Sequence, residues 1–316
     1  MIPKGVTPSQ QQCYSAPPMT PPIQISVVIG TFNQAPVLER VLDGYNQQTC
    51  PLELFEVIVV DSGSTDGTAT LFSQFDALFQ FHGIIQENQG KSGARNRGVA
   101  ESNSDIIIIT DADMIPGPDF IATHIKAHQS ASTPTCFEGA TLNMTELHWP
   151  PQPAKVFPYI TRSLADGASL GWYYFLTGNL SFPKSLFTEE NGFDIEFLGY
   201  GWEDLELGYR LQQKKVPLRY LKSAINYHYH VVSENDEIKR NIKKGESAQI
   251  MLRKHPELKW FLGLNPLSVW VYRTTSPTGW IIRAMTRWHE GTPGWTRRFG
   301  TWFLKEYYYL SGLLGA

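Results

Sequence analysis

Asp111 and Asp113, separated by one alanine, close the run Ser104–Asp113, SDIIIITDAD. A near-continuous β-branched run between polar residues is the pattern of a strand buried on both faces in a parallel sheet. The two carboxylates then stand where the strand leaves the sheet, and ligands of open α/β sheets bind at those carboxyl ends. If the strand persists, the two side chains share a face; if it turns, they converge on one point. Convergent carboxylates repel unless a cation lies between them, and hard divalent cations take oxygen ligands. The chemistry suggested is a metal–phosphate site. The plainer alternative, a strand followed by an Asp-rich turn, fits the pair equally well when it is taken alone.

Other candidates sit at similar places. A first strand, Ile25–Ile29, closes on Gly30-Thr31-Phe32-Asn33, and Pro36 opens a helix. A second strand, Phe55–Val60, ends in Asp61 and the turn and capping residues Ser62–Gly67, ahead of a short helix over about Thr68–Phe75. A third strand is expected near Gly83–Gln86. It leads to Asn88–Gly98, NQGKSGARNRG, which starts as a glycine loop and becomes a helix through about Glu101. Strand–helix alternation thus repeats three times before Asp113, as in a parallel, doubly wound sheet. Three strand ends carry polar groups on one edge: Thr31/Asn33, Asp61 and Asp111/Asp113. For Asp61 alone a helix cap is the alternative, and Asp66 reads as a cap.

The second half is less regular. His124 and His128, four apart in the helical Asp119–Gln129, have the spacing of a metal pair, but no acidic partner follows at zinc spacing, so solvated helix histidines are expected. A strand near Thr135–Ala140 is followed by a Pro/Trp-rich connection through Ser169, of a length often used for lids. Tyr174–Phe182 is expected as a strand interrupted by Thr177-Gly178-Asn179, where glycine permits close backbone approach. Glu203 and Asp204 begin a helix, a placement the helix dipole favours in any case; entered through glycines beside an exposed Trp202, they also fit the lip of a site. Leu218–Leu221 and Ala224–Tyr227 read as strands leading to His228 and His230, both on one face.

Composition bounds the rest. With 316 residues and 42% hydrophobic content the chain suits one large α/β domain or a domain with an appendage. A net charge of −3 gives no footprint for nucleic acid, and Cys13, Cys50 and Cys136 lack metal spacing and fit a reducing compartment. Residues 1–22 read as a disordered Pro-rich leader without a signal peptide, and no run approaches the roughly 20 apolar residues of a spanning helix. From Arg253 onward nine Lys/Arg stand against three Asp/Glu, and six of the nine tryptophans lie there. Basic residues interleaved with aromatics suit a membrane surface. They equally suit a helical layer packed on the domain.

Five features in order carry a resemblance. They are the first strand ending in Thr31-Phe32-Asn33, VIVVDSGSTDGT at Val57–Thr68, NQGKSGARNRG, the DAD triplet, and GWEDLELGYRL at Gly201–Leu211 followed by YHYH at Tyr227–His230. From Ile25 to about His230 the chain resembles the family 2 glycosyltransferases. The GFD and GWED pieces are similar to a motif of galactosyl- and N-acetylgalactosaminyltransferases. The resemblance implies a GT-A fold, an α/β doubly wound, mostly parallel sheet flanked by helices. It places a nucleotide half over 23–115, an acceptor half over 116–250, and a helical aromatic and basic extension over 251–316.

It also implies roles. Thr31, Asn33 and Asp61 would contact the nucleotide, Asp61 reading the base, typically uracil; Lys91 and Arg95 would line the diphosphate. Asp111 and Ala112 would lie against the nucleotide sugar, and Asp113 would bind Mn2+ or Mg2+ with His228, His230 in reserve. Asp204 would be the catalytic base with Glu203 beside it, and Gly178, Asn179 and Trp202 would meet the acceptor. Trp202 stands where some relatives have glycine. The implied reaction is inverting transfer of a hexosyl or N-acetylhexosaminyl group from a nucleotide-diphosphate sugar to a glycan or lipid-linked acceptor, in the cytoplasm or at the cytoplasmic face of a membrane.

Three other readings compete. A nucleotidyltransferase shares the sheet and the carboxylates, but its glycine-rich basic phosphate loop is missing after the first strand. A glycan- or nucleotide-binding paralogue without activity is opposed by the presence of both the DAD and the Glu203-Asp204 pairs. A metal-dependent hydrolase lacks a histidine cluster near the aspartates.

Overall fold

A computed structural model describes residues 22–144, 146–147, 157–158, 164–229, 234–275, 283 and 295–315. The Pro-rich leader up to residue 21, His230, Trp280 and Trp288 lie outside the described residues. The first half reads β1 (Ile25–Thr31), α1 (Ala35–Asn46), β2 (Phe55–Asp61), α2 (Thr68–Gln74), β3 (Gln80–Ile85), α3 (Gly90–Glu101) and β4 (Ile106–Asp111). After these come β5 (Met114–Pro116), α4 (Phe120–Ser130), β6 (Cys136–Met144), β7 (Phe157–Pro158), β8 (Leu180–Pro183), α5 (Lys184–Glu189), α6 (Glu203–Gln213) and β9 (Leu218–Tyr229). Three helices follow: α7 (Glu234–Lys254), α8 (Pro266–Thr275) and α9 (Trp295–Leu314).

The sheet order is β3-β2-β1-β4-β8-β6-β9-β5, with β7 on β6. The first four strands are parallel, as alternation with helices requires. β8 then runs antiparallel to both β4 and β6, so the second half is mixed. β1 and β2 are buried almost throughout, which explains their unbroken apolar runs, whereas β3 lies on the edge and is half exposed. α3 packs directly on β1 because residue 98 is glycine: a Cβ there would stand 2.3 Å from Val28 Cγ1.

Several expectations are corrected. β3 begins three residues earlier than expected and α3 begins at Gly90 itself. Tyr174–Phe182 is not one strand: Trp172–Tyr174 form a single 3-10 turn and β8 begins only at Leu180. The two expected strands around residues 218–227 are one twelve-residue strand, with an irregularity opposite Gly139/Ala140. The helical C-terminal layer packs on the domain, one of the two readings its composition offered. Its residues Ala248, Met251, Leu262, Tyr272, Leu310 and Leu313 share a core with Trp172, Phe197, Trp202 and Tyr209. The expected boundary at 250 falls inside α7.

His124 and His128 are not solvated. His124 is fully buried and His128 partly so, and each holds the Ser181 hydroxyl at 2.8 Å. Burial pushes the His124 pKa down to about 3 and that of His128 to about 4, so both are neutral near pH 7. His124 also meets Asn179 Oδ1 at 3.1 Å, and Asn179 Nδ2 donates to the Ala140 and Ala224 carbonyls. Asn179 is thus fully buried and ties β8 to β6 and β9. The resemblance implied an acceptor contact for Asn179; its side chain is taken up by these strand and His124 contacts.

Candidate active site

The register gathers the polar strand ends. Thr31 pairs with Asp61 and Gly30 with Asp111, so the ends of β2, β1 and β4 form one edge. That edge and the start of α6 enclose a cavity of about 700 Å³. Its walls include Thr31, Lys91, Arg95, Asp111, Asp113, Gly178, Trp202, Glu203, Asp204 and His228, ten residues named from the sequence.

Arg95 is the centre of the charge arrangement. Its side chain is 2% exposed, and it donates to Asp111 Oδ1 at 2.8 Å and to Glu203 Oε1 at 3.0 Å. One guanidinium fork thereby couples the end of β4 to the start of α6, whose Glu203 lies 108 residues after Arg95 in the chain. Lys91 Nζ stands 3.9 Å from Asp111 Oδ2. Burial alone would raise the Asp111 pKa, but Lys91 and Arg95 outweigh it and hold the group at about 2.

Asp204 has the opposite environment. Burial, with the Glu203 charge alongside, pushes its pKa up to about 7, against the opposing pull of Arg95. Its Oδ1 accepts from the Leu205 amide at 2.8 Å. Two carboxylates seven strands and helices apart in sequence are so driven to opposite protonation behaviour, the pattern that separates acid and base roles in active sites.

α6 is aimed by the loop before it. Gly201 and Trp202 have φ of +85° and +77°, so the chain enters the helix through left-handed backbone. Trp202 tolerates this because it is clamped: its indole N–H donates to the Lys244 carbonyl at 2.9 Å, and its ring packs by Phe261 and Tyr309. The expected exposed Trp202 is therefore 6% exposed, one edge on the cavity and the rest in the C-terminal core. Trp202 thereby anchors the start of the helix that carries the acidic pair.

Asp113 follows β4, and Met114 pairs with His228 on β9. His228 Nε2 lies 3.4 Å from Asp113 Oδ2, and Nδ1 lies 3.1 Å from Asn143 Oδ1. His228 thus stands between the Asn143 amide oxygen and the Asp113 carboxylate. A carboxylate oxygen and an imidazole nitrogen converge, which suits a divalent ion. Among the described residues no group of three or more His, Cys, Asp or Glu could enclose one. Two protein ligands are enough where substrate phosphates supply the rest, the usual arrangement for Mg2+.

The remaining sequence candidates fall beside the cavity. Asp61 is 1% exposed and accepts from the Ser64 amide and hydroxyl, and Ser62 rather than Asp61 lines the wall. Asn33 Oδ1 accepts from the Thr65 amide, which ties the two strand-end loops together. Ala112 is buried in the core. The Gly178 carbonyl is held by Thr110 Oγ1 at 2.9 Å and Asn226 Nδ2 at 2.5 Å, which fixes the Thr177-Gly178 wall. Sequence reasoning missed Glu138, Asn143, Arg240, Lys243 and Lys244. Arg240 lies one turn before the adjacent Lys243 and Lys244 on α7, and all three line the cavity; their spacing was legible, their target was not.

Comparison with known proteins agrees with this geometry. Residues 26–178 match the model for glycosyl transferase family 2, and residues 163–234 match the model described as N-terminal domain of galactosyltransferase. Residues 26–178 are thus similar to a family 2 glycosyltransferase domain. The validoxylamine A glucosyltransferase of Streptomyces hygroscopicus subsp. jinggangensis (strain 5008) is 31% identical over 221 residues, 61% of this chain and 52% of the relative. The chondroitin synthase of Pasteurella multocida (strain Pm70) is 26% identical over 282 residues, 76% of this chain and 28% of the relative. The chain spans about half the length of the glucosyltransferases it matches. Among solved structures, the mannosyltransferase PcManGT from Pyrobaculum calidifontis, in complex with GDP-Man and Mn2+, superposes with a TM-score of 0.59 at 16% identity, over 97% of this chain and 91% of that one. S. aureus TarS in complex with UDP-GlcNAc gives 0.55 at 14%, over 92% and 91%. The likeness to these structures establishes a GT-A fold, mixed α/β with a mostly parallel first half.

Proposed function

We propose that the family 2 domain is the catalytic unit of an inverting, metal-assisted glycosyltransferase using a nucleotide-diphosphate sugar, with uridine as the base. The observation that carries this is the pairing of environments: a carboxyl raised to about 7 at Asp204 lines the same cavity as Asp113 and as Asp111, which Lys91 and Arg95 hold ionised. In this reading Thr31 and the Asp61 loop seat the nucleotide. Thr31 supports that role, since it ends β1 on the cavity wall. Asp113 and His228 would hold the Mn2+ or Mg2+. When bound, such an ion supplies Lewis-acid stabilisation of the charge that builds on the leaving diphosphate.

The chain's own residues do the rest. Arg95 keeps Asp111 ionised and fixes Glu203, so the donor edge and the acceptor edge hold one separation. Asp204, ionised above about pH 7, takes the proton from the acceptor hydroxyl as its oxygen attacks the anomeric carbon. The carbon–oxygen bond to the diphosphate breaks on the opposite face.

Thermal unfolding with nucleoside diphosphates, with and without Mn2+, tests the site. A ligand at about 100 times its dissociation constant stabilises the fold by about 2.7 kcal/mol. UDP with Mn2+ is expected to raise the Tm, and Asp113→Asn to abolish the Mn2+-dependent part. A shift with GDP alone would change the base. No shift with any nucleotide would favour a paralogue without activity.

We further propose that the C-terminal layer touches a membrane surface that presents the glycan or lipid-linked acceptor. No helix among the described residues is long and apolar enough to cross a membrane. Leu267 and Trp270 are exposed one turn apart on α8, and Trp260, whose ring carries Lys259 Nζ at 5.9 Å, is exposed in the turn before it. Amphipathic aromatic and basic faces bind anionic lipid surfaces. Flotation of the full chain with anionic phospholipid vesicles is expected to fall several-fold in Trp260→Ser/Trp270→Ser; equal flotation removes the proposal.

A further inference from the structure

One carboxyl in the cavity has no place in the mechanism above. Glu138 lies within β6, between Leu180 of β8 and Tyr220 of β9. It is 5% exposed and lines the cavity with Leu176, Thr177 and Gly178. Its Oε2 accepts from the Leu176 amide at 3.2 Å. Its Oε1 makes no hydrogen bond among the described residues, yet it is not one of the sealed polar atoms of the core, so it opens on the cavity. No Lys, Arg or His forms an ion pair with Glu138 among the described residues, although five cations line the same walls.

An acid at this place is costly unless a ligand uses it. A buried carboxyl without a cation prefers its neutral form. Burial, reinforced by the charge of Asp204, raises the Glu138 pKa well above the usual carboxylate range, against the pull of the Leu176 amide. A neutral carboxyl that accepts at Oε2 has an O–H to give at Oε1 and nothing in the protein to receive it. A hydroxyl oxygen is the matching partner, and a pyranose presents several.

We propose that Glu138 is a specificity residue, whose Oε1 donates a hydrogen bond to one hydroxyl of a pyranose held in the cavity. The inference rests on reading the cavity as a nucleotide-sugar site. Two pyranoses reach such a site, the transferred sugar and the acceptor sugar, and the chemistry is the same for both. Sites built to bond a hydroxyl discriminate sharply against an analogue that lacks it, because the buried partner is left unpaired.

The test is a deoxy scan on the full chain with wild type, Glu138→Ala and Glu138→Gln. UDP affinity is measured first and is expected to be equal in all three. In the donor arm, UDP-glucose, UDP-galactose and UDP-N-acetylglucosamine identify the sugar bound more tightly than UDP, and its monodeoxy analogues are then compared. In the acceptor arm, methyl hexosides and their monodeoxy forms are compared by KM and kcat. Wild type is expected to lose roughly 3- to 10-fold for one deoxy position in one arm. Glu138→Ala should treat parent and analogue alike at that position, and Glu138→Gln, which still offers an N–H, should keep most of the discrimination. The arm in which this happens identifies the pyranose. A merely structural role would lower the Tm or the UDP affinity of Glu138→Ala without erasing discrimination at a single hydroxyl. The proposal is overturned if Glu138→Ala binds UDP normally and discriminates every analogue as wild type does. A wild type that binds no nucleoside diphosphate would overturn the reading of the whole cavity, and Glu138 with it.

Discussion

Asp204→Asn is expected to bind the nucleotide sugar with wild-type affinity and to transfer roughly 10²–10⁴-fold more slowly, the usual contribution of a positioned general base. Asparagine keeps the shape and the contact with the Leu205 amide but cannot take a proton. The pH profile sharpens the expectation. Because burial and Glu203 lift Asp204 to about 7, wild-type kcat should rise about tenfold per pH unit below that value and level off above it; Asp204→Asn should show no such limb. Stability should move the other way. The folded pKa lies above the ordinary carboxylate value of about 4. Folding therefore disfavours the ionised form, and stability falls as pH rises from about 4 through 7. Asp204→Asn, with no charge to desolvate, should then have a higher Tm than wild type at pH 8. A variant both less stable and normal in turnover would remove Asp204 from its role.

Arg95→Met carries the second large effect. Methionine roughly fills the space but leaves Glu203 buried and unpaired and Asp111 with only the long Lys91 contact, a loss of about 3–5 kcal/mol in unfolding free energy at pH 7. Arg95→Lys should recover little, because an ammonium cannot bridge two carboxylates on a planar fork. Lys91→Ala, by contrast, should cost at most about 1 kcal/mol, since Lys91 is half exposed and its contact with Asp111 is long. The sign with pH follows from Asp111. Its folded pKa, about 2, lies below the unfolded one, so its stabilisation is present above about pH 4 and is lost as pH falls toward 2. The deficit of Arg95→Met should accordingly shrink across that window. Chemical denaturation at pH 7 and pH 3 reads both expectations.

The donor edge was legible because its physics is local. An apolar run that ends in Thr31, Asp61 or Asp111 marks a parallel strand and its carboxyl end together, and register then aligns all three. Arg95 and the Glu203-Asp204 pair were legible as residue types at a loop and a helix start. Their bond to each other was not, since it joins segments 108 residues apart. Trp202, His124 and Asn179 went astray for one reason. A polar or amphipathic side chain near a motif reads as exposed until its partners are known, and here those partners are a C-terminal carbonyl, a serine hydroxyl and two strand carbonyls. The mixed second half of the sheet was illegible because β8 is only four residues long and carries no alternation. Glu138 gave no signal at all: one acid in an otherwise strand-like segment has no spacing to reveal it.

The most direct measurement of the central claim is proton NMR of a UDP-α-hexose turned over with Mn2+, recorded as the first product accumulates. Water serves as the acceptor where no other is supplied. Release of UDP with the β-anomer appearing first is the predicted result: a single displacement assisted by Asp204, lost in Asp204→Asn. Appearance of the α-anomer first would contradict the inverting mechanism, and absence of UDP release from every UDP-hexose tried would contradict the assignment of the cavity as a uridine-sugar site.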